Sequence, residues 1–171
     1  MVVNWSENDT LFFKELKEGH QWQYLPAVFF QLHGLLVEVP ELRVRDSIQE
    51  ACKWKDSVDL IVNGRLIEVK SRNEHFTSSA SFPYHTILVD TVSGYKAKET
   101  KPLAYVMISR PTGAMLTLKA TSSKGWLIET KYDRIREIHD EFFVSDRANL
   151  QTLDCLVAFI KSLHGGDLHG E

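Results

Sequence analysis

Two carboxylates and an ammonium group are drawn together in the stretch from Asp56 to Arg72. Val58 to Val62 and Leu66 to Val69 are short aliphatic runs of the kind that suit a pleated, buried surface. Between them lies Asn63-Gly64, the preferred two-residue hairpin turn, because a type I′ turn needs positive φ at both central positions. A loop of that length fixes the register. Val62 faces Arg65, Ile61 faces Leu66, Leu60 faces Ile67, and Asp59 then faces Glu68. Directly opposed side chains hold their Cβ atoms roughly 4.5–5.5 Å apart, where two like charges destabilise the pair. Strand alternation adds Lys70 to the face that carries Glu68.

Two acids forced together in an apolar hairpin ask for a cation or a shared proton. The bland alternative is a solvated sheet face on which charges are ordinary. The flanking residues Leu60, Ile61, Val62, Leu66, Ile67 and Val69 are apolar on both faces of the hairpin. That pattern marks strands buried on both sides and favours the metal reading.

The rest of the chain must position this face. At 171 residues it is long enough for one domain with a real core, and 1–171 is read as a single domain. A net charge of −3 gives no global signature of nucleic-acid binding. Any such surface must be a local basic patch or be supported by bound cations. Cys52 and Cys155 have no partnered spacing, so neither a zinc site nor a disulfide framework is indicated. The N-terminus reaches charge without an apolar core segment, and no apolar run approaches a membrane span. The expectation is a cytoplasmic protein with no membrane partner.

Ser6 and Asp9 suggest a helix start, with Leu11, Phe12, Glu15 and Leu16 on one face and Gly19 as a stop. Trp22 to Leu32 reads as a buried helix ending at Gly34, with Pro26 either in its first turn or kinking a longer helix. Leu35 to Arg45 suggests a first strand, and Asp46 to Lys55 a polar connection containing Trp54. After the hairpin, Asn73 to Tyr84 is a long polar loop with Phe76 and Phe82. Strands are expected at Thr86 to Thr91, Leu103 to Ser109, Met115 to Leu118 and Trp126 to Thr130. A basic turn or short helix spans Ser93 to Thr100, a short helix Asp133 to Asp140, and a longer helix Ala148 to Leu163. Residues 164–171 read as a flexible tail. The fold class is α/β (α+β), a central mixed sheet flanked by helices.

An acid on one strand followed by Glu-x-Lys on the next resembles the PD-(D/E)xK nuclease superfamily, with its restriction-endonuclease-like αβββαβ core. Asp59 matches the metal-binding Asp, with Val58 in place of the preceding Pro, and Glu68 and Lys70 match the second half of the motif. The helix before Gly34 is similar to the one that carries the superfamily's additional Glu, and Gln23 falls at that position. Gln is neutral and a poorer cation ligand, so His20 or Glu15 are alternatives for the role. The resemblance covers roughly Leu11 to Ser109.

What the resemblance implies is a small, phage-type endonuclease that hydrolyses DNA with Mg²⁺, or Mn²⁺ in its place. Asp59, Glu68 and the Val69 carbonyl would be the metal ligands, with Gln23 and Lys70 completing the catalytic set. Phosphodiester hydrolysis needs such groups, because negative charge develops on the attacking water, the phosphate and the leaving oxygen. Ser71, Arg72, Lys96, Lys98 and Lys101 are candidate DNA contacts, and a homodimer would cut two strands. Phe82, Tyr84 and Trp54 are candidates to stack on bases. His75 and His85 are read as structural or surface residues. The alternative is a catalytically weakened or inactive DNA-binding module on the same fold, silenced through Gln23.

Overall fold

The computed structural model describes residues 7–41, 58–133 and 138–164. The first helix, α1 (Glu7–Leu32), runs through both Gly19 and Pro26. A mid-helix Gly costs only about 1 kcal/mol relative to Ala. The sheet-facing stripe of Gln23, Ala27 and Phe30, spaced four and three residues apart, is anchored by burial that outweighs that cost. The expected stop at Gly19 is therefore corrected to Gly34, whose φ is +77°. There the Leu35 amide reaches back to the Phe30 carbonyl and the Gly34 amide to that of Gln31. These are the two bonds of a Schellman cap. Leu35 and Phe30, the positions that pack together in such a cap, lie in one buried cluster.

From that cap the chain enters a six-stranded sheet in the order β1-β2-β3-β5-β6-β9. Its strands are β1 (Val37–Glu38), β2 (Leu60–Val62), β3 (Arg65–Arg72), β5 (Ala104–Ser109), β6 (Met115–Lys119) and β9 (Gln151–Thr152). β3 and β5 are parallel, and every other neighbouring pair is antiparallel, so the sheet is mixed. The crossover from β3 to β5 carries β4 (Thr86–Thr91) and the short helix α2 (Val92–Ala97). Within it β4 belongs to a second, three-stranded sheet with β8 (Ile138–Asp146) and β7 (Leu127–Asp133).

The two faces of the main sheet are covered differently. Ile67, Val69, Val106 and Ile108 pack with Phe30 of α1 and with Leu156 and Ile160 of α3 (Leu153–His164). On the other face Tyr105, Met107, Leu116 and Leu118 pack with Phe76, Ile87, Val89 and Trp126. The result is three layers: helices, the main sheet and the small sheet. The long helices thus cover one face, while a β-layer closes the other. Asp133 and Ile138 to Asp140 lie in strands paired with each other, so the two ends of the short helix expected at Asp133 to Asp140 are corrected to strand, and 134–137 lie outside the described residues. A 3₁₀ turn, Ala120–Gly125, follows β6. Of the strand expected over Leu35 to Arg45, Val37–Glu38 form β1 and 42–45 lie outside the described residues, as do Ser6, Cys52, Trp54 and most of the 164–171 tail. No described helix is long and apolar enough to cross a membrane.

Candidate functional site

The hairpin forms in the register that its Asn-Gly turn dictates. Leu60 pairs with Ile67, Ile61 with Leu66 and Val62 with Arg65, and Asn63 and Gly64 have φ of 47° and 73°. In an unbroken antiparallel ladder the Val69 amide would next meet the Val58 carbonyl. Instead it donates to Asp59 Oδ2 at 2.7 Å. The aspartate side chain intercepts a ladder hydrogen bond, and β2 begins only at Leu60. Asp59 is thereby fastened beside Glu68, at the point where the two strands part.

From the other side of the sheet, α1 aims Gln23 at the same place. Its amide Nε2 donates to Asp59 Oδ1 at 2.7 Å, and Gln23 is 9% exposed. Both Asp59 oxygens are thus held by N–H groups. Burial, and then the neighbouring Glu68 carboxylate, push the Asp59 carboxyl up to about 7, against the opposing pull of Lys70 and the Val69 amide. Lys70 Nζ lies 3.4 Å from Glu68 Oε2. Burial would lower its pKa, but Glu68, Asp90 and Asp59 outweigh that and hold it above the ordinary lysine range. Lys70 is an ammonium at neutral pH, suited to orienting an anion or offsetting charge but not to taking a proton.

The sequence reading places Lys98 among surface DNA contacts. The structure buries it instead: its side chain is 14% exposed, with Nζ 2.6 Å from Asp90 Oδ2 and 3.3 Å from Glu68 Oε1. Asp90 also accepts from the Tyr105 hydroxyl at 3.2 Å and from the Thr91 amide at 2.9 Å. Burial and then Asp90 push the Tyr105 hydroxyl far above its usual range, so it stays a donor. A bulge in β4 between Leu88 and Asp90 bends the strand where Asp90 leaves it. Sequence reasoning missed Asp90 altogether. Its one signal is an acid closing the apolar run Ile87-Leu88-Val89, much as Asp59 opens one.

Other sequence candidates fall elsewhere. Arg72 is turned inward, donating to the Leu88 carbonyl and, at 3.4 Å, to Met107 Sδ. Burial lowers its pKa. It ties β3 to β4 and β5 rather than facing a phosphate. Ser71 accepts from Arg110 at 3.1 and 3.2 Å, and Arg110 also reaches Glu18 of α1 at 3.4 Å. Lys101 caps the end of α2 by donating to the carbonyls of Tyr95, Lys96 and Lys98. Lys96 stands exposed. His20 packs edge-on against Tyr24, and the Glu15 side chain lies outside the described residues. Phe82 is core, packed on Phe76, while Tyr84 is 57% exposed. His75 and His85 are exposed.

The assembled site holds three carboxylates, Asp59, Glu68 and Asp90, against two ammonium groups, Lys70 and Lys98. One negative charge is in excess when all are ionised. Among the described residues, no three acid, His or Cys side chains converge to hold a metal ion by themselves. The acids form two pairs that share Glu68. The Asp59–Glu68 pair fits a hard cation in its chemistry: two carboxylates supply oxygen ligands, and the Glu68 repulsion that adds to desolvation in raising Asp59 is the kind a cation relieves. A scan against protein-family models finds no match to this chain, and neither does a search of curated proteins or of solved structures.

Proposed function

We propose that the protein is a Mg²⁺-dependent DNA endonuclease of the PD-(D/E)xK type, working at the Asp59–Glu68–Lys70 face. The observation that carries this reading is the half-buried Asp59 beside the buried Glu68 at the parting of β2 and β3, with a charged Lys70 on the same face. The path α1, β1, β2, β3, α2, β5, with β3 and β5 parallel, supports it as an αβββαβ order into which β4 is inserted.

Asp59 and Glu68, with the Val69 carbonyl, would hold the cation, which supplies an acidified water and stabilises the leaving oxygen. Water gives up a proton to solvent as it attacks phosphorus, the P–O bond to one sugar oxygen breaks, and that oxygen takes a proton from solvent as it leaves. Lys70, held as an ammonium, neither takes nor gives that proton; it aligns the attacking water and offsets charge on the phosphate. Asp59 is positioned by Val69 and by Gln23, whose amide faces it with N–H rather than C=O. Gln23 in this orientation orients the ligand and does not act as one.

That same Gln23 contact, and the Lys98 ammonium on Glu68, support a second reading: a DNA-binding module on the same fold without catalysis. Supercoiled plasmid incubated with Mg²⁺ or Mn²⁺ separates the two. The endonuclease nicks or linearises it, and Asp59→Asn or Glu68→Gln lowers the rate about 100-fold or more, the scale on which one electrostatic stabiliser is felt. Equal cutting by the parent and Asp59→Asn would sink the proposal. Absence of cutting with calorimetric cation binding near zero favours the inactive module.

A further inference from the structure

Glu68 stands between two other acids. Asp59 lies beside it across the hairpin, and Asp90 approaches from β4 through the Lys98 ammonium. Two-metal hydrolytic sites use a second divalent cation to supply more positive charge among their acids, and here the interval between Glu68 and Asp90 already holds a positive charge, the Lys98 ammonium. The two intervals are filled differently here. On the Asp90 side Lys98 Nζ is 2.6 Å from one acid and 3.3 Å from the other, and is largely shut away from solvent. Tyr105 and the Thr91 amide complete the shell of Asp90, and Lys101 pins the Lys98 carbonyl at the root of the side chain. On the Asp59 side, among the described residues, Asp59 meets N–H groups of Gln23 and Val69 and no ammonium at ion-pair distance.

Building on the metal-dependent reading above, we infer that Lys98 is a resident substitute for a second cation, so that the site takes one divalent ion, between Asp59 and Glu68. An ammonium is a compact point charge on a four-carbon stem. Placed here it gives the Glu68–Asp90 interval a positive charge that does not depend on cation concentration. Lys98 is then a positioning residue for Glu68: it fixes one carboxylate oxygen and leaves the other half of the group toward Asp59 and Lys70.

Mn²⁺ is the probe, read by calorimetric stoichiometry and by electron paramagnetic resonance on the full chain. The parent protein is expected to bind one Mn²⁺ with the spectrum of an isolated ion. Lys98→Met, which keeps the length of the stem and removes the charge, is expected to bind two, with a spin-coupled spectrum. The double variant Lys98→Met, Asp90→Asn returns to one. Two coupled ions in the parent overturn the inference whether or not the variants fold. One ion in a Lys98→Met protein with native circular dichroism overturns it as well. Absence of Mn²⁺ from both proteins instead brings down the metal reading on which the inference stands, and the two failures are thereby told apart.

Discussion

Asp59 is a half-buried acid whose oxygens are both occupied by N–H donors, yet its carboxyl is pushed up to about 7, by loss of solvent first and by Glu68 second. An unfolded Asp ionises near 3.8. The native state therefore holds a proton that the unfolded state has already lost, and native stability falls as pH rises through that window. The stabilisation is fully present below about 4 and lost as pH passes about 7. In a chelator, the melting temperature should drop between roughly pH 5 and pH 8, and Asp59→Asn should flatten the profile. Divalent cation binding must displace the same proton, so cation affinity should rise up to about tenfold per pH unit below 7. Thermal melts across this range, with and without Mg²⁺, check both statements. A parent profile as flat as that of Asp59→Asn would show that Asp59 is not the titrating group. Lys70 contributes no opposite slope near neutrality, because its acidic neighbours hold its pKa above the ordinary lysine range.

The hairpin that carries these residues was legible because its signal is local: a period-two apolar pattern on each side of a turn that demands positive φ. Its register decides which face Asp59, Glu68 and Lys70 occupy. Gly64 has φ of 73° with open space around the missing Cβ, so Gly64→Ala adds left-handed backbone strain and no clash. It should cost about 1–2 kcal/mol, lowering the urea midpoint while leaving the slope unchanged. A shifted slope would instead mean that the turn governs more than its own conformation. Other elements were not legible because their causes are distant. Gly19 reads as a stop locally, but the docking of Ala27 and Phe30 onto the sheet carries the helix through it. Asp133 and Ile138 read as the ends of a short helix, yet they pair with each other as β7 and β8 come together. Lys98 looked like one more surface lysine. Only the crossover that brings β4 and α2 over β3 puts it on Glu68.

At the scale of the whole molecule, charge sets the terms on which DNA can approach. The chain carries a net −3, and the candidate site is itself one charge negative when its groups are ionised. Of the lysines and arginines read as phosphate contacts, Arg72 and Lys98 are turned inward and Lys101 is engaged on backbone carbonyls. Lys96 remains exposed. A polyanion therefore gains little from the protein alone, and a cation between Asp59 and Glu68 has to reverse the local sign before a phosphate can sit there. Fluorescence anisotropy of a labelled duplex at low salt should show weak binding in a chelator. With Ca²⁺, another oxygen-seeking cation, binding should tighten at least about tenfold, or about 1.4 kcal/mol. The double variant Asp59→Asn, Glu68→Gln should lose that gain, since it removes the cation's ligands. It should also bind the duplex somewhat better than the parent in the chelator, because it removes negative charge. With Arg72 and Lys98 turned inward and Lys101 engaged on carbonyls, binding centred on the Asp59–Glu68 face should depend only shallowly on monovalent salt, on the order of two to four phosphate contacts. Tight binding in the chelator with a steep salt slope would place the DNA surface elsewhere on the molecule, and would leave the Asp59–Glu68 pair without a part in recognising it.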